Sequence, residues 1–519
     1  MTQARDESSI PFDAPASEPP AARTLGELRA SAWHSRSVRD EIRTNLIAAL
    51  REGRRVFEGI VGYEQTVIPQ VINALLSRHN IILLGLRGQA KTRLMRQVAK
   101  LLDEWMPIVA GSDIHDDPYQ PVSWHARELV AEKKEATPIE WVHRGERYRE
   151  KLATPDVSVA DLVGDIDPVK AATQKLHFGH EAVINFGIIP RTNRGIFGIN
   201  ELPDLQPRIQ VSLFNILEEK DVQIRGFPVR LPMDILLMFT ANPEDYTNRG
   251  SIITPLKDRI ESQILTHYPA EVSQAMQITD QEAWTTRSGE IEVVMPLFLR
   301  RVVDRMAFAA RDSEYVDQAS GVSARLPIAA LENVVSNVER RAVMQGKARE
   351  FARVVDLQAA LPAITGKLEL VYEGEQEGPF HVATNLVGQA LRQEFELLFP
   401  SAYKPTSPRQ RKPGSGPERE PDEESDLGEY KPIIDHFAGS RTVELTDTLT
   451  AEEYRARLTA VPGLEDVVRA HLDPGDDNER LAAMEFVLEG LHQSSLLAKE
   501  DIDRGILYCD MLGSMMADF

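Results

Sequence analysis

Residues 81–92 constrain the fold of this chain more than any other stretch. Ile81-Ile82-Leu83-Leu84 is an unbroken apolar run between Asn80 and Gly85. A short run of this kind reads as a strand buried on both faces, as in a parallel sheet. Gly85-Leu86-Arg87-Gly88-Gln89-Ala90-Lys91-Thr92 follows, and helical patterning then runs from Lys91 to about Trp105. Strand, glycine-containing loop, Lys-Thr and helix in that order make a phosphate-binding loop. Its backbone N–H groups and the positive end of the helix can hold a triphosphate. Lys91 is expected to reach the β- and γ-phosphates, and the Thr92 hydroxyl to ligate magnesium. Ala90 departs from the general pattern, which has Gly there. Alanine tolerates a positive φ poorly, although its methyl need not block the phosphates.

Four further elements follow in order. Gly195-Ile196-Phe197-Gly198-Ile199-Asn200-Glu201 is an apolar strand that ends in a polar pair. The strand beside a phosphate loop commonly ends in an Asp that holds the magnesium shell, with a Glu that activates water. Glu201 fits the base. Asn200 occupies the Asp position with a carbonyl acceptor but no charge. The run from Ile235 to Asn242-Pro243 is a strand ending in an Asn able to orient an attacking water. Arg259, in Leu256-Lys-Asp-Arg259-Ile260, can reach a γ-phosphate in a neighbouring subunit. Arg325, in Ser323-Ala324-Arg325, opens a later helical stretch.

Apolar runs at 195–199, 235–240 and 263–266 alternate with helical patterns, which argues for an α/β domain with a parallel sheet. The chain has 519 residues, 42% hydrophobic and 27% charged, enough for about three domains. Residues 1–23 are rich in Pro, Ala and Ser and read as a disordered tail. Residues 24–269 read as the α/β nucleotide-binding core and 270–400, helical almost throughout, as an all-α second domain. Residues 401–430, rich in Pro and charge, read as a disordered linker, and 431–519 as a separate small helical domain with helices at 479–491 and 496–516. Asp113, His115, Asp116 and Asp117 match no metal-ligand spacing and read as a solvated loop, and the charged stretch 140–151 reads as a solvated helix or loop.

The order of motifs resembles AAA+ ATPases of the magnesium chelatase I subunit and MoxR-like group. Phe57-Glu-Gly-Ile60-Val61-Gly62 is similar to the segment that holds adenine in that group, which implies nucleotide contacts for Ile60 and Val61. Ala before the loop lysine also occurs among MoxR-like proteins. Residues 161–168 resemble the lead into an inserted β-hairpin, and Asn193-Arg194-Gly195-Ile196 resembles the entry to the following strand. By this match Asn242 is sensor 1, Arg259 the arginine finger and Arg325 sensor 2. The resemblance covers residues 24–400. It implies ATP and Mg2+ as ligands, a six-membered ring, an all-α lid, and hydrolysis that remodels a protein partner. Such partners often carry a von Willebrand factor A domain, which here must lie on another chain.

The net charge of −21 disfavours nucleic acid and anionic membranes as partners. No stretch approaches the roughly 18 apolar residues of a membrane span. The single cysteine, Cys509, excludes an intramolecular disulfide and fits a reducing compartment, so the expectation is a cytoplasmic protein. Asn200 keeps a second function open: a nucleotide-gated scaffold with little turnover. A metal chelatase ATPase is a third. An enhancer-binding activator ranks last, because its Gly-Ala-Phe-Thr-Gly-Ala loop is absent.

Overall fold

The computed structural model describes residues 15–167, 181–224, 230–242, 251–287, 291–401, 427–438, 441–502 and 505–511, together with Val169 and Thr173. Pro168, Pro243, residues 402–426 of the expected linker and residues 512–516 of the expected last helix lie outside them. The chain divides into two compact units, Met1–Tyr268 and Pro269–Phe519.

The strands of the first unit are, in chain order, β1 (Ile81–Leu84), β2 (Trp105–Val109), β3 (Ile139–His143), β4 (Tyr148–Leu152), β5 (Gly164–Ile166), β6 (Ile184–Phe186), β7 (Gly195–Asn200), β8 (Asp221–Gln223), β9 (Arg230–Pro232), β10 (Ile235–Ala241) and β11 (Ser262–Leu265). Its early helices are α1 (Leu25–Ala30), α2 (Val38–Arg51), α3 (Val67–Leu76) and α4 (Lys91–Val98). Five strands form one sheet in the order β11-β1-β10-β7-β4, every pair parallel. Side chains along a strand alternate between faces, and the apolar clusters follow that alternation. Ile81 and Leu83 of β1 join Ile42, Leu46, Val71 and Leu94 of α2, α3 and α4. Ile82 joins Phe197, Phe239, Ile209 and Leu213 on the other face. Helices therefore cover both sides of the sheet.

The expected strands at 81, 195, 235 and 263 are present. The helix after the loop is shorter than the sequence pattern suggests: α4 ends at Val98, and Trp105 begins β2, which pairs with β3 as an antiparallel ribbon. The charged stretch 140–151 is not a solvated helix or loop. Its second half is β4, the edge strand of the parallel sheet, where Arg96 pairs with Glu150. Before β7, β5 and β6 pair antiparallel, and most of the residues that join them lie outside the described residues. Residues 15–23, read as part of a disordered tail, are held by side-chain and backbone bonds. Trp105 Nε1 donates to Ser17 O at 3.1 Å, Trp141 Nε1 to Ala22 O at 2.8 Å, and Ile139 N to Arg23 O at 2.9 Å.

The Asp113–Asp117 loop is also built rather than solvated. Asp116 is fully buried and accepts from Val122 N, Ser123 N, Ser112 Oγ and Ser123 Oγ at 2.6–2.8 Å. Burial, then the nearby Arg149 and Arg147, push the His115 imidazole down to about 4. Among the described residues no cluster of three or more Asp, Glu, His or Cys side chains is placed to hold a metal ion. The entry to β7 is fixed by a buried ion pair: Arg147 donates to both Glu41 oxygens at 2.7 and 2.6 Å and to Arg194 O at 3.0 Å.

The second unit adds β12 (Glu292–Val294), β13 (Arg349–Phe351), β14 (Val443–Thr446), β15 (Ala498–Ile502) and β16 (Gly505–Cys509) to a set of long helices. Helices Leu297–Asp312, Arg325–Gln345 and Pro379–Leu398 share a single apolar cluster with Asp477–Gln493. Phe486 packs 4.9 Å from Phe298 and 6.0 Å from Phe395. A Cβ at Gly490 would lie 2.2 Å from the Phe395 ring, so only glycine lets these helices approach so closely. The C-terminal segment therefore has no core of its own. Its last part is sheet rather than helix, in the order β14-β16-β15, antiparallel. Residues 427–430, expected in the linker, include a short 3-10 turn, Gly428–Tyr430, that buries Tyr430. Cys509 sits in β16, and burial raises its thiol.

Two predictions follow from this packing. Glu41→Ala leaves Arg147 charged and buried without its carboxylate, which costs about 3–5 kcal/mol; chemical denaturation should show it, and a wild-type midpoint would exclude a role for the pair. In the second unit Glu485 accepts from Val354 N, Val355 N and Tyr454 Oη, and burial pushes its carboxyl up to about 7. The folded state then holds this proton more tightly than the unfolded state. Stability should fall as pH rises from about 4.5 to about 7, and Glu485→Gln should flatten that part of the melting-temperature profile.

Candidate nucleotide-binding site

The register of the parallel strands brings the sequence-predicted residues together. Leu84, at the end of β1, pairs with Ala241 of β10 on one side and Leu265 of β11 on the other. Phe239 of β10 pairs with Ile199 of β7. Gly85 and Asn242 therefore follow level with each other, and Asn200 lies opposite Thr240, all at the carboxyl end of the sheet. Ligands of open parallel sheets bind outside the carboxyl ends of the strands.

The loop after β1 has no room for a side chain at its first position. A Cβ at Gly85 would lie 2.0 Å from Thr266 Oγ1 and 2.2 Å from Gln89 Oε1. Gly88 has φ 74° and Ala90 φ 55°, both left-handed. Left-handed residues interleaved with right-handed ones turn successive amides toward one concavity, which suits an anion. Ala90 is the residue immediately before α4, so it takes the strained conformation that the general pattern gives to glycine.

Lys91 is 7% exposed and donates to the carbonyls of Gly85 and Leu86 and to Asn242 Oδ1, the last at 2.6 Å. Thr92 Oγ1 donates to Asn200 Oδ1 at 2.9 Å. Thr240 Oγ1 donates to the same oxygen at 3.3 Å and accepts from Glu201 N at 3.1 Å. Glu201 has φ 55° and ψ 53°. Thr240 was not singled out from the sequence, although it is the one polar residue within an otherwise apolar strand and shares a face with Asn242.

The remaining expected residues are Ile60, Val61 and Arg259 in the first unit and Arg325 in the second. Ile60 is buried with Phe57 in the cluster beneath the loop, and Val61 is half-buried. Arg259 ends helix Thr254–Arg259, donates to Glu218 Oε2 at 2.8 Å and lies 4.7 Å over the Phe214 ring. Arg325 belongs to the second unit, where it opens helix Arg325–Gln345 with its side chain exposed.

Parallel strand order, the loop after β1 and the polar ends of β7 and β10 decide the architecture. The first unit has the parallel-sheet phosphate-loop fold expected of an AAA+ core. No protein-family model matches the chain. Solved structures similar to it include a protein described as a candidate ATPase from Cytophaga hutchinsonii, 16% identical over 67% of this chain and 95% of that one, with a TM-score of 0.29. The BchI–BchD complex of magnesium chelatase is 18% identical, over 62% of this chain and 98% of that one, with a TM-score of 0.31. NtrX from Brucella abortus is 12% identical, over 56% and 55%, with a TM-score of 0.32.

Ala90 supplies a local test. A non-glycine residue in the left-handed region costs about 1 kcal/mol. Ala90→Gly should raise the melting temperature of the nucleotide-free protein, opposite in sign to the usual cost of glycine; a fall would show that the loop is not strained at this residue.

Proposed function

We propose that this chain binds ATP with Mg2+ and hydrolyses it as a remodelling motor of the magnesium chelatase I subunit/MoxR-like kind. It would work as a six-membered ring in the cytoplasm, on a protein partner that carries a von Willebrand factor A domain. The observation that supports the nucleotide reading best is the convergence of Lys91, Thr92, Asn200, Glu201 and Asn242 at adjacent strand ends. Among the described residues no helix is long and apolar enough to cross a membrane.

The donor set fits magnesium. Thr92 Oγ1 and Asn200 Oδ1 are hard oxygen atoms 2.9 Å apart, and Mg2+ takes oxygen ligands with several waters retained. Thr92 would hold the ion directly and Asn200 its water. The bound ion would neutralise charge on the phosphate oxygens. The loop amides bind and orient the triphosphate, and Lys91, already aimed across the loop mouth, moves from carbonyl oxygens to phosphate oxygens. Glu201 accepts the proton of the attacking water, and Asn242 orients that water. Arg259 acts on the γ-phosphate held by a neighbouring copy, and Arg325 acts from the lid. Ile60 and Val61 contact adenine.

Asn200 favours a second reading, a nucleotide-gated scaffold with little turnover. Neither Thr92 nor Asn200 carries charge, so the ion is held less strongly than by an aspartate. Steady-state ATPase assays separate the two. Lys91→Ala should lose ATP binding, and Glu201→Gln should keep it while losing about 100-fold in turnover. Asn200→Asp should raise turnover. A wild-type rate no higher than that of the two disabled variants would leave the scaffold reading in place of the motor.

A further inference from the structure

Three consecutive residues at the point where the chain leaves the first unit are tied to the phosphate loop, Thr266 and Tyr268 directly and His267 through Tyr63. Thr266 Oγ1 donates to Gln89 Oε1 at 2.7 Å. The Tyr63 hydroxyl lies 2.8 Å from Gln89 O and 2.9 Å from His267 O and shares its proton between them. The Tyr268 hydroxyl donates to Arg87 O at 2.8 Å. Tyr268 is the last residue of the first unit, and Pro269 begins the second.

The segment is rigidly built. The Tyr63 and His267 rings meet edge to face, 5.0 Å between centroids. His267 Nδ1 is 2.8 Å from Tyr268 O, a carbonyl, so Nδ1 carries the proton. Nε2 is then an acceptor and takes the Thr66 hydroxyl at 2.7 Å. Tyr63 is 4% exposed, so its ring is fixed as well.

The carbonyls that these tyrosines hold have a direct consequence for the loop. In a trans peptide C=O and N–H point in opposite directions. A hydroxyl that holds Arg87 O on one side turns the Gly88 N–H to the other. The bond to Gln89 O does the same for the Ala90 N–H. These are the amides of the two left-handed residues, Gly88 and Ala90.

We propose that Tyr63 and Tyr268 are positioning residues that aim the Gly88 and Ala90 amides at the phosphates, and that the same bonds make the exit segment 266–269 respond to whether the loop is filled. The inference rests on the phosphate-loop reading and adds to it a route from the nucleotide to the connection between the two units. Phosphate that pulls on the two amides rotates their peptide planes, and the carbonyls on the far side move against Tyr63 and Tyr268. A filled loop thereby tightens the exit segment further than an empty one does.

Tyr63→Phe and Tyr268→Phe keep the rings and delete only the hydroxyls. Both should bind ATP and tripolyphosphate about three- to tenfold more weakly than wild type, the range expected for one hydrogen bond. In wild type, ATP should slow amide hydrogen exchange across residues 262–272. In Tyr268→Phe at saturating ATP most of that slowing should be lost, although the site is full, which a merely structural role would not produce. Wild-type tripolyphosphate affinity in both variants overturns the positioning role. An undiminished exchange response in Tyr268→Phe overturns the coupling, while ATP binding by wild type keeps the nucleotide reading intact. A wild-type protein that binds no ATP overturns that reading and the inference with it.

Discussion

The parallel pairing of β1 with β10 and β11 is the constraint on which the site depends. β1 is only four residues long and lies between β10, of seven residues, and β11, of four. Its register fixes where the chain must turn, and it must turn at a position with no room for a Cβ. The loop, the lysine and the first turn of α4 follow from that turn. The same ladder sets the ends of β7 and β10 beside it, so a shift of register would separate Lys91 from Asn242 and Thr92 from Asn200 together.

The polar atoms of this edge form one network with Asn200 at its centre. Its amide oxygen receives two hydroxyl donors, Thr92 and Thr240. A carboxylate in that position would accept both bonds equally well and add a charge. Asparagine thus preserves the geometry and removes only the electrostatics. That is why its presence separates binding from turnover in the two functional readings. Thr240 also holds the backbone of Glu201 in a left-handed turn, so one hydroxyl links the metal position to the carboxylate beside it.

In the second unit the organising fact is a shared core. Helix Asp477–Gln493 buries one continuous set of apolar residues against Pro379–Leu398 and Leu297–Asp312. Two buried carboxyl groups anchor it, and a third ties Pro379–Leu398 to Leu297–Asp312. Glu485 caps the turn at Val354, Glu489 binds Lys499 and Tyr508, and Glu394 binds Arg305. Residues distant in sequence, on either side of the Pro-rich stretch, therefore belong to one packed body. A Pro-rich, charged stretch in the sequence therefore does not by itself divide the core.

The sequence by itself determined the loop, its strand and helix, the strands at 195, 235 and 263, and the order of polar residues at their ends. Those features are local: an apolar run, a glycine turn and a helical period are each written within about a dozen residues. Tertiary structure alone decided the rest. β4 was illegible because Arg149, Glu150 and Lys151 hide the strand signal, and an edge strand buries too little to need apolar alternation. The order of residues 15–23 depends on indole donors from Trp105 and Trp141, more than 80 positions away. Glu485 and Glu489 look like the solvated face of a helix until the segments that bury them are known. Tyr63 and Tyr268 were invisible for the same reason: a tyrosine orients a loop only when the fold carries its hydroxyl to a particular carbonyl, and no local pattern records which one.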